Sequence, residues 1–267
     1  MKVILITGAT SGIGYETAKL LANQGNIVYA AGRHIENLQQ LNSVHPLYID
    51  ITDDISIRNA VNSILKEQGR IDVLINNAGY GSYGSIEDVP LQEARNQFDV
   101  NVFGLVSLTQ LVLPVMRKQK SGHIINLSSV YGRLSSSFGG WYHATKHAVE
   151  ALSDTLRLET KQYGIEVSII EPGPIKTDWG IIAANKLAET AKGSAYEKQA
   201  LKTSNRMKKA YSSNILSKPS VVSKSIAKVV NKKQPRTRYI VGRGAKLLIF
   251  LNAILPTRTF DKLISKI

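Results

Sequence analysis

A doubly wound α/β fold, with a parallel sheet covered by helices on both faces, is the class this chain of 267 residues predicts. Three observations predict it. Short, mostly apolar, β-branched runs alternate with longer amphipathic stretches through residues 1–175; runs of that kind suit strands buried on both faces, and βαβα alternation makes the sheet parallel. A glycine-rich turn follows the first run and opens the first helix. The length suits a single domain, 1–267, and a hydrophobic content of 43% supplies a full core.

The elements follow in order. "KVILIT" (2–7) reads as the first strand: its four apolar residues before Thr7 and Gly8 are too few for a secretory signal. Further strands are predicted at "NIVYAAG" (26–32), "PLYID" (46–50), "IDVLINN" (71–77), "GHIINLS" (122–128) and "IEVSIIEP" (165–172). Helical periods lie between them, over 13–24, 35–42, 53–68, 91–118 and 140–163. In the last, Ala144, Ala148, Ala151, Leu152 and Leu156 form an apolar stripe.

Segment 176–217 breaks the rhythm, being rich in Lys, Ala, Ser and Thr. Ligands of open α/β sheets bind beyond the carboxyl ends of the strands, so an insertion here reads as a substrate lid, or as a solvated helical hairpin. "RYIVG" (238–242) is a seventh strand. No stretch reaches the roughly eighteen uninterrupted apolar residues of a membrane span. Cysteine is absent, which excludes disulfides and thiolate metal sites. No metal is expected, and the location expected is cytoplasmic.

The net charge of +14 is unevenly placed. Residues 1–185 hold 15 Lys and Arg against 17 Asp and Glu, whereas residues 186–267 hold 19 against 3. The basic excess therefore belongs to the last third alone.

"TGATSGIG" (7–14) carries the first chemistry. Gly8 permits a tight turn, Gly12 lets the backbone approach a pyrophosphate, and Gly14 allows the helix to pack closely on the strand. The N–H groups of the helix start then face the anion. After the second strand, an NAD-preferring chain normally carries an acid for the ribose 2′-hydroxyl. Here Gly32 is followed by Arg33 and His34. An arginine fork suits a 2′-phosphate, so NADP(H) is favoured over NAD(H).

The second chemistry is in "GGWYHATKHAVEALS" (139–153), where Tyr142 and Lys146 are spaced i, i+4 on one helix face. A free tyrosine has a pKa near 10, and lowering it by about three units requires roughly 4 kcal/mol. An ammonium about 4 Å away at an effective dielectric of about 20 supplies about that much. The spacing therefore predicts a lysine that tunes a phenol. His143 and His147 point elsewhere on the helix and read as structural.

Taken together, the motifs resemble the short-chain dehydrogenase/reductase family, in the family's order: "TGATSGIG" (7–14), Asp50, "NNAG" (76–79), "VNVFG" (100–104), "NLSSVYG" (126–132), "YHATK" (142–146) and "EPGPIKT" (171–177). The similarity covers about residues 1–180 and "RYIVG", and within the family it is to carbonyl reductases and to hydroxysteroid- and retinol-dehydrogenase-like members. It implies a Rossmann-type fold of about seven strands and a catalytic set of Asn101, Ser129, Tyr142 and Lys146. Ser129 is preferred to Ser128 because it lies thirteen residues before Tyr142, the family's usual spacing. Asn101 would hold a water that relays protons from Lys146. Cofactor contacts are implied for Gly8, Thr10, Ser11, Gly12, Ile13, Gly14, Arg33, Asp50, Ile51, Asn77, Ala78, Gly79, Tyr142, Lys146, Pro172, Gly173, Ile175 and Thr177. A homo-dimer or tetramer would pair through helices 91–118 and 140–163.

The expected function is hydride transfer between NADP(H) and a carbonyl or alcohol on a hydrophobic small molecule. Two alternatives stand beside it: a non-catalytic dinucleotide-binding module that senses redox state, and a reductase of lipid carbonyls at a membrane surface. The second arises from "GAKLLIFLNAILPTRTFDKLISKI" (244–267), where Lys246, Arg258, Lys262 and Lys266 interleave with Leu, Ile and Phe and Pro256 separates two short helices. These helices could equally complete the core or close an apolar pocket. No nucleic-acid module is recognisable, and no nucleic-acid partner is expected.

Overall fold

The computed structural model describes residues 1–265 apart from Gln40 and Asn42. Seven strands, β1 (Val3–Thr7), β2 (Ile27–Gly32), β3 (His45–Tyr48), β4 (Val73–Asn76), β5 (Gly122–Leu127), β6 (Ile165–Pro172) and β7 (Arg238–Val241), form one sheet in the order β3-β2-β1-β4-β5-β6-β7. Every pairing is parallel, with Thr7 beside Ala31, Ile6 beside Ile75, Asn76 beside Asn126 and Pro172 beside Val241. Chain progress reverses between β1 and β4, which opens a crevice at their carboxyl ends.

Strand alternation divides the core in two. Ile4 and Ile6 face α1 (Gly12–Asn23) and a later helix through Ala18, Leu21, Val222 and Ile226. Val3 and Leu5 face the opposite layer, where α2 (Asp54–Gln68) and α4 (Gly104–Gln119) bring Ile57, Ile64, Leu108, Val112 and Met116. Asp53 caps α2 by accepting from Ile55 N at 2.9 Å, and left-handed Gly69 ends it.

The expected helix 91–118 forms as α3 (Leu91–Phe98) and α4 joined by a π turn, Asp99–Phe103. By length and composition the continuous helix Leu91–Gln119 could cross a membrane, although polar residues interrupt its apolar run. Here its Leu108, Val112 and Met116 face is buried on the sheet. Of the expected helix 35–42, the described part is a 3-10 turn, Ile35–Leu38; Gln40 and Asn42 lie outside the described residues.

Most of the apolar stripe of α5 (Gly140–Thr160) faces away from the core, while Leu156 packs partly buried against it. Ala144, Ala151 and Leu152 are exposed, and the buried face carries Tyr142, His143, Thr145, Lys146, Glu150 and Ser153 beside Val149. The reason is a hydrogen-bonded interior: Asn76 donates to Asn126 (2.9 Å), Asn126 donates to Ser153 (2.8 Å), and Ser153 donates to Val149 O (2.6 Å). Polar groups satisfied in this way are stable when buried.

Segment 176–217 folds as a helical hairpin, α6 (Asp178–Thr190) and α7 (Glu197–Ser212). Its two ends are pinned side by side, with Ile175 bridging Ser217 and Lys176 N donating to Ser217 O at 2.9 Å. Beyond it come α8 (Pro219–Val230), β7, α9 (Ala245–Ile254) and α10 (Thr257–Ile264), with Pro256 between the last two. Lys266 lies outside the described residues.

Candidate active site

A cleft of about 1220 Å³ lies at the carboxyl ends of β1, β4, β5 and β6. Every residue expected to touch a cofactor lines it, from the Gly8–Gly14 turn through Arg33 and Asp50 to Pro172, Gly173, Ile175 and Thr177. Ser129, Tyr142 and Lys146 line it too, and Asn101 does not.

The phosphate end is built by close approach. Gly8 has φ +63, and a Cβ there would fall 2.8 Å from Ala78 Cα; a Cβ on Gly14 would fall 2.2 Å from Gly8 O. Asn77 holds the turn by donating to Thr7 O at 2.9 Å and Gly8 O at 3.0 Å, so its amide works on the loop. Ser11, at the N-cap of α1, makes no capping bond, which leaves the first N–H groups of α1 open to an anion. Arg33 is exposed at the end of β2. Asp50 Oδ1 accepts from Thr52 N at 3.0 Å and Thr52 Oγ1 at 2.7 Å. Those bonds, and then the Arg33 charge, hold its carboxyl below the usual range. The uncapped helix start and the glycine cradle fit a dinucleotide. Gly8, Gly12 and Gly14 would hold its pyrophosphate, and the bound group would supply hydride chemistry.

At the chemical end the rings are crowded. Tyr142 is buried, with its ring centre 5.1 Å from Trp179 and 6.0 Å from Tyr83. Burial pushes its phenol well above the ordinary value of 10.0, while the neighbouring Ser129 hydroxyl pulls the other way. Ser129 Oγ accepts from Tyr131 N at 3.2 Å and lies 3.4 Å from Pro172 O, to which it donates. Lys146 Nζ donates to Leu127 O at 2.8 Å and stands 5.8 Å from the Tyr142 ring centre. Burial lowers its own pKa to about 8, against the pull of Glu150. The expected lowering of the phenol by Lys146 does not show in the free protein, where burial dominates. Desolvation wins, and Tyr142 keeps its proton.

Asn101, on the π turn, lies behind the cleft. Its Nδ2 donates to Tyr80 O (2.8 Å) and Thr145 Oγ1 (3.0 Å), and its Oδ1 accepts from Tyr80 N (3.0 Å). The amide braces the loop that carries Gly79 and Tyr80, two residues that line the cleft. His143 is buried, stacks on Tyr131 at 4.4 Å, and is held neutral with a pKa near 3 by burial. His147 lies one turn on and contacts His143 O at 2.9 Å.

Sequence reasoning missed the wall opposite the cofactor half. Tyr131, Trp179, Ile182 and Tyr211 line the cleft together with Tyr142. Trp179 fits against Gly81, where a Cβ would meet its ring at 2.4 Å, and Tyr211 fits against Gly180 in the same way at 2.1 Å. These rings come from distant segments, so no local spacing marks them; the glycine that follows Trp179 is the one sequence trace of the fit.

Behind Pro172 lies a buried ionic cluster. The Glu171 carboxylate is fully buried, 3.0 Å from Arg133 Nε and 3.2 Å from Arg238 Nε, but neither oxygen is in hydrogen-bond geometry. Arg238 also binds Glu150 at 3.0 Å and Asp154. Burial, followed by the Glu150 charge, raises the Glu171 pKa to about 7. A carboxyl whose folded pKa is raised stabilises the fold fully below its unfolded value near 4.5, and that contribution is lost as pH rises through about 7. The wild type should lose on the order of 2 kcal/mol of unfolding free energy between pH 5 and 8 relative to Glu171→Gln. Denaturant unfolding at the two pH values checks this, and equal slopes in both proteins would contradict it.

Fold and cleft together define a class, an oxidoreductase that binds a dinucleotide. The short chain dehydrogenase family matches residues 2–186, and the chain belongs to that family. It is 38% identical over 248 residues to 3-ketodihydrosphingosine reductase of Bacteroides thetaiotaomicron, covering 92% of this chain and 90% of that one. It is 36% identical over 282 residues to NADPH-dependent 3-dehydrocapnine reductase of Ornithobacterium rhinotracheale, covering 100% and 97%. A short-chain dehydrogenase from Streptomyces avermitilis has a similar crystal structure, with a TM-score of 0.82, 29% identity, and coverage of 99% of this chain and 98% of that one.

Proposed function

We propose that this protein is an NADP(H)-dependent reductase of a ketone carried by a hydrophobic, lipid-class substrate. One observation carries the reading. The same cleft that holds Arg33 and the glycine turn presents Ser129, Tyr142 and Lys146 against a wall of Tyr131, Trp179, Ile182 and Tyr211. The NADPH in one relative's name and the 3-ketodihydrosphingosine in the other's support the cofactor and the substrate class.

In the forward direction the carbonyl oxygen sits between the Ser129 and Tyr142 hydroxyls. Tyr142 gives it a proton as the carbonyl carbon accepts hydride, so the ketone becomes a secondary alcohol. A phenol held protonated by burial suits this direction. Ser129 positions the oxygen and stabilises its developing charge. Lys146 returns a proton to Tyr142 and carries positive charge into a dry site, and Asn101 keeps the Gly79–Tyr80 loop in place. The α6–α7 hairpin acts as the lid, closing Trp179 and Tyr211 over the substrate.

NADPH oxidation against a panel of carbonyls tests the reading. Turnover should concentrate on large apolar ketones, including 3-keto lipids, over small diketones. Tight NADPH binding with no turnover on any member would favour a dinucleotide-binding module instead.

The exposed stripe on α5, extended by Leu158, and exposed Phe103 beside α4 support pairing of two copies in a homo-dimer or tetramer. Light scattering should return at least twice the 29.3 kDa of one chain. A monomer mass at micromolar concentration would overturn the pairing.

A further inference from the structure

The C-terminal helices have two unlike faces. The inner face of α9 is used: Ala245 and Ile249 are buried with Val130, Leu134 and Phe260 of α10, and Ala245 Cβ would lie 3.1 Å from a Cβ on Gly173. Through Val130 and Gly173 the helix backs directly onto the segments that carry Ser129 and Pro172. The outer face is not used. Leu247, Phe250 and Ile254 are 61%, 57% and 56% exposed, and their i, i+3, i+7 spacing makes them one stripe.

Basic residues accompany this stripe on both terminal helices, with one acid, Asp261, exposed on α10. No Asp or Glu occurs between Glu197 and Asp261. Arg243 and Lys246 are exposed at the start of α9, where cations oppose the helix dipole, so they do not serve the helix's own stability. Lys246 shares the face of Phe250, one turn away. Arg258 and Lys262 are exposed on α10, and Arg206 of α7 donates to Ser265 O at 3.3 Å, which joins the basic helix α7 to the same end of the molecule. An apolar stripe among cations matches an anionic lipid surface, which offers hydrocarbon beneath phosphate. A nucleic acid offers the phosphate without the hydrocarbon.

We infer that the outer face of α9 seats on an anionic bilayer, with Leu247, Phe250 and Ile254 entering the headgroup boundary and Arg243, Lys246, Arg258 and Lys262 contacting lipid phosphates. The seating stands on this face alone. That it brings the cleft to substrates dissolved in the membrane rests on the reductase reading above.

The test is sedimentation of the full chain with vesicles of phosphatidylcholine alone and of phosphatidylcholine with phosphatidylglycerol. Wild type should sediment with the anionic vesicles, much less with the neutral ones, and be released by high salt. The triple variant Leu247→Ser, Phe250→Ser, Ile254→Ser should lose about tenfold or more in partition coefficient, and Lys246→Glu with Arg258→Glu and Lys262→Glu a similar factor. All six side chains are exposed, so thermal midpoint and NADPH turnover on a water-soluble ketone should not change. Wild type that fails to sediment, or variants that sediment equally, would overturn the inference. So would an apolar variant whose mass in light scattering falls, which would make the face a contact between copies, or retention on duplex DNA without vesicle binding. Vesicle binding without turnover on any ketone would remove the reductase reading and leave the seating intact.

Discussion

Tyr142→Phe should reduce NADPH-dependent ketone turnover by about 10³-fold or more while the dissociation constant for NADPH stays within about threefold. The change removes one oxygen and keeps the ring, so the contacts with Trp179 at 5.1 Å and Tyr83 at 6.0 Å persist and the fold is not expected to respond. No other group replaces the lost proton donor. Ser129 Oγ is engaged with Tyr131 N and Pro172 O, Lys146 Nζ donates to Leu127 O, and His143 is neutral and stacked on Tyr131. Steady-state kinetics combined with cofactor fluorescence titration separate the two quantities. Turnover within tenfold of wild type would show that Tyr142 is not the acid.

Arg33→Asp should invert the cofactor preference, weakening NADPH by about 10²-fold while NADH is held equally well or better. Arg33 is exposed at the end of β2, and its charge reaches Asp50 across the adenosine end of the cleft. The variant removes a charge-assisted fork and places a carboxylate where a 2′-phosphate would lie, so loss of attraction and gain of repulsion act together. The same carboxylate can accept from a 2′-hydroxyl. Titration with both reduced cofactors checks the ratio; an unchanged ratio would put the phosphate elsewhere, with His34 next in line.

The inner strands β1, β2, β4, β5 and β6 were legible because they are buried on both faces and bounded by turn residues, while the edge strands β3 and β7 are more exposed; β1, β2, β5, β6 and β7 start and end within one residue of their expected limits. The cofactor half was legible because a short contiguous segment, Gly8–Gly14, forms it through backbone geometry. Three features were not. Periodicity shows which residues of α5 share a face but not which way that face looks, so the alanine–leucine stripe proved to be the outer one. Spacing placed Lys146 one turn from Tyr142, yet its ammonium turns to Leu127 O, a partner the helix itself does not specify. The wall of Tyr131, Trp179 and Tyr211 is assembled by tertiary structure from three separate segments.

That wall has a spectroscopic consequence. The chain has two tryptophans: Trp179 lies against the Tyr142 ring, and Trp141 is its neighbour in the chain. Trp179 lines the cleft, so its share of the native indole emission arises there, and the unlabelled chain carries its own optical reporter of what enters.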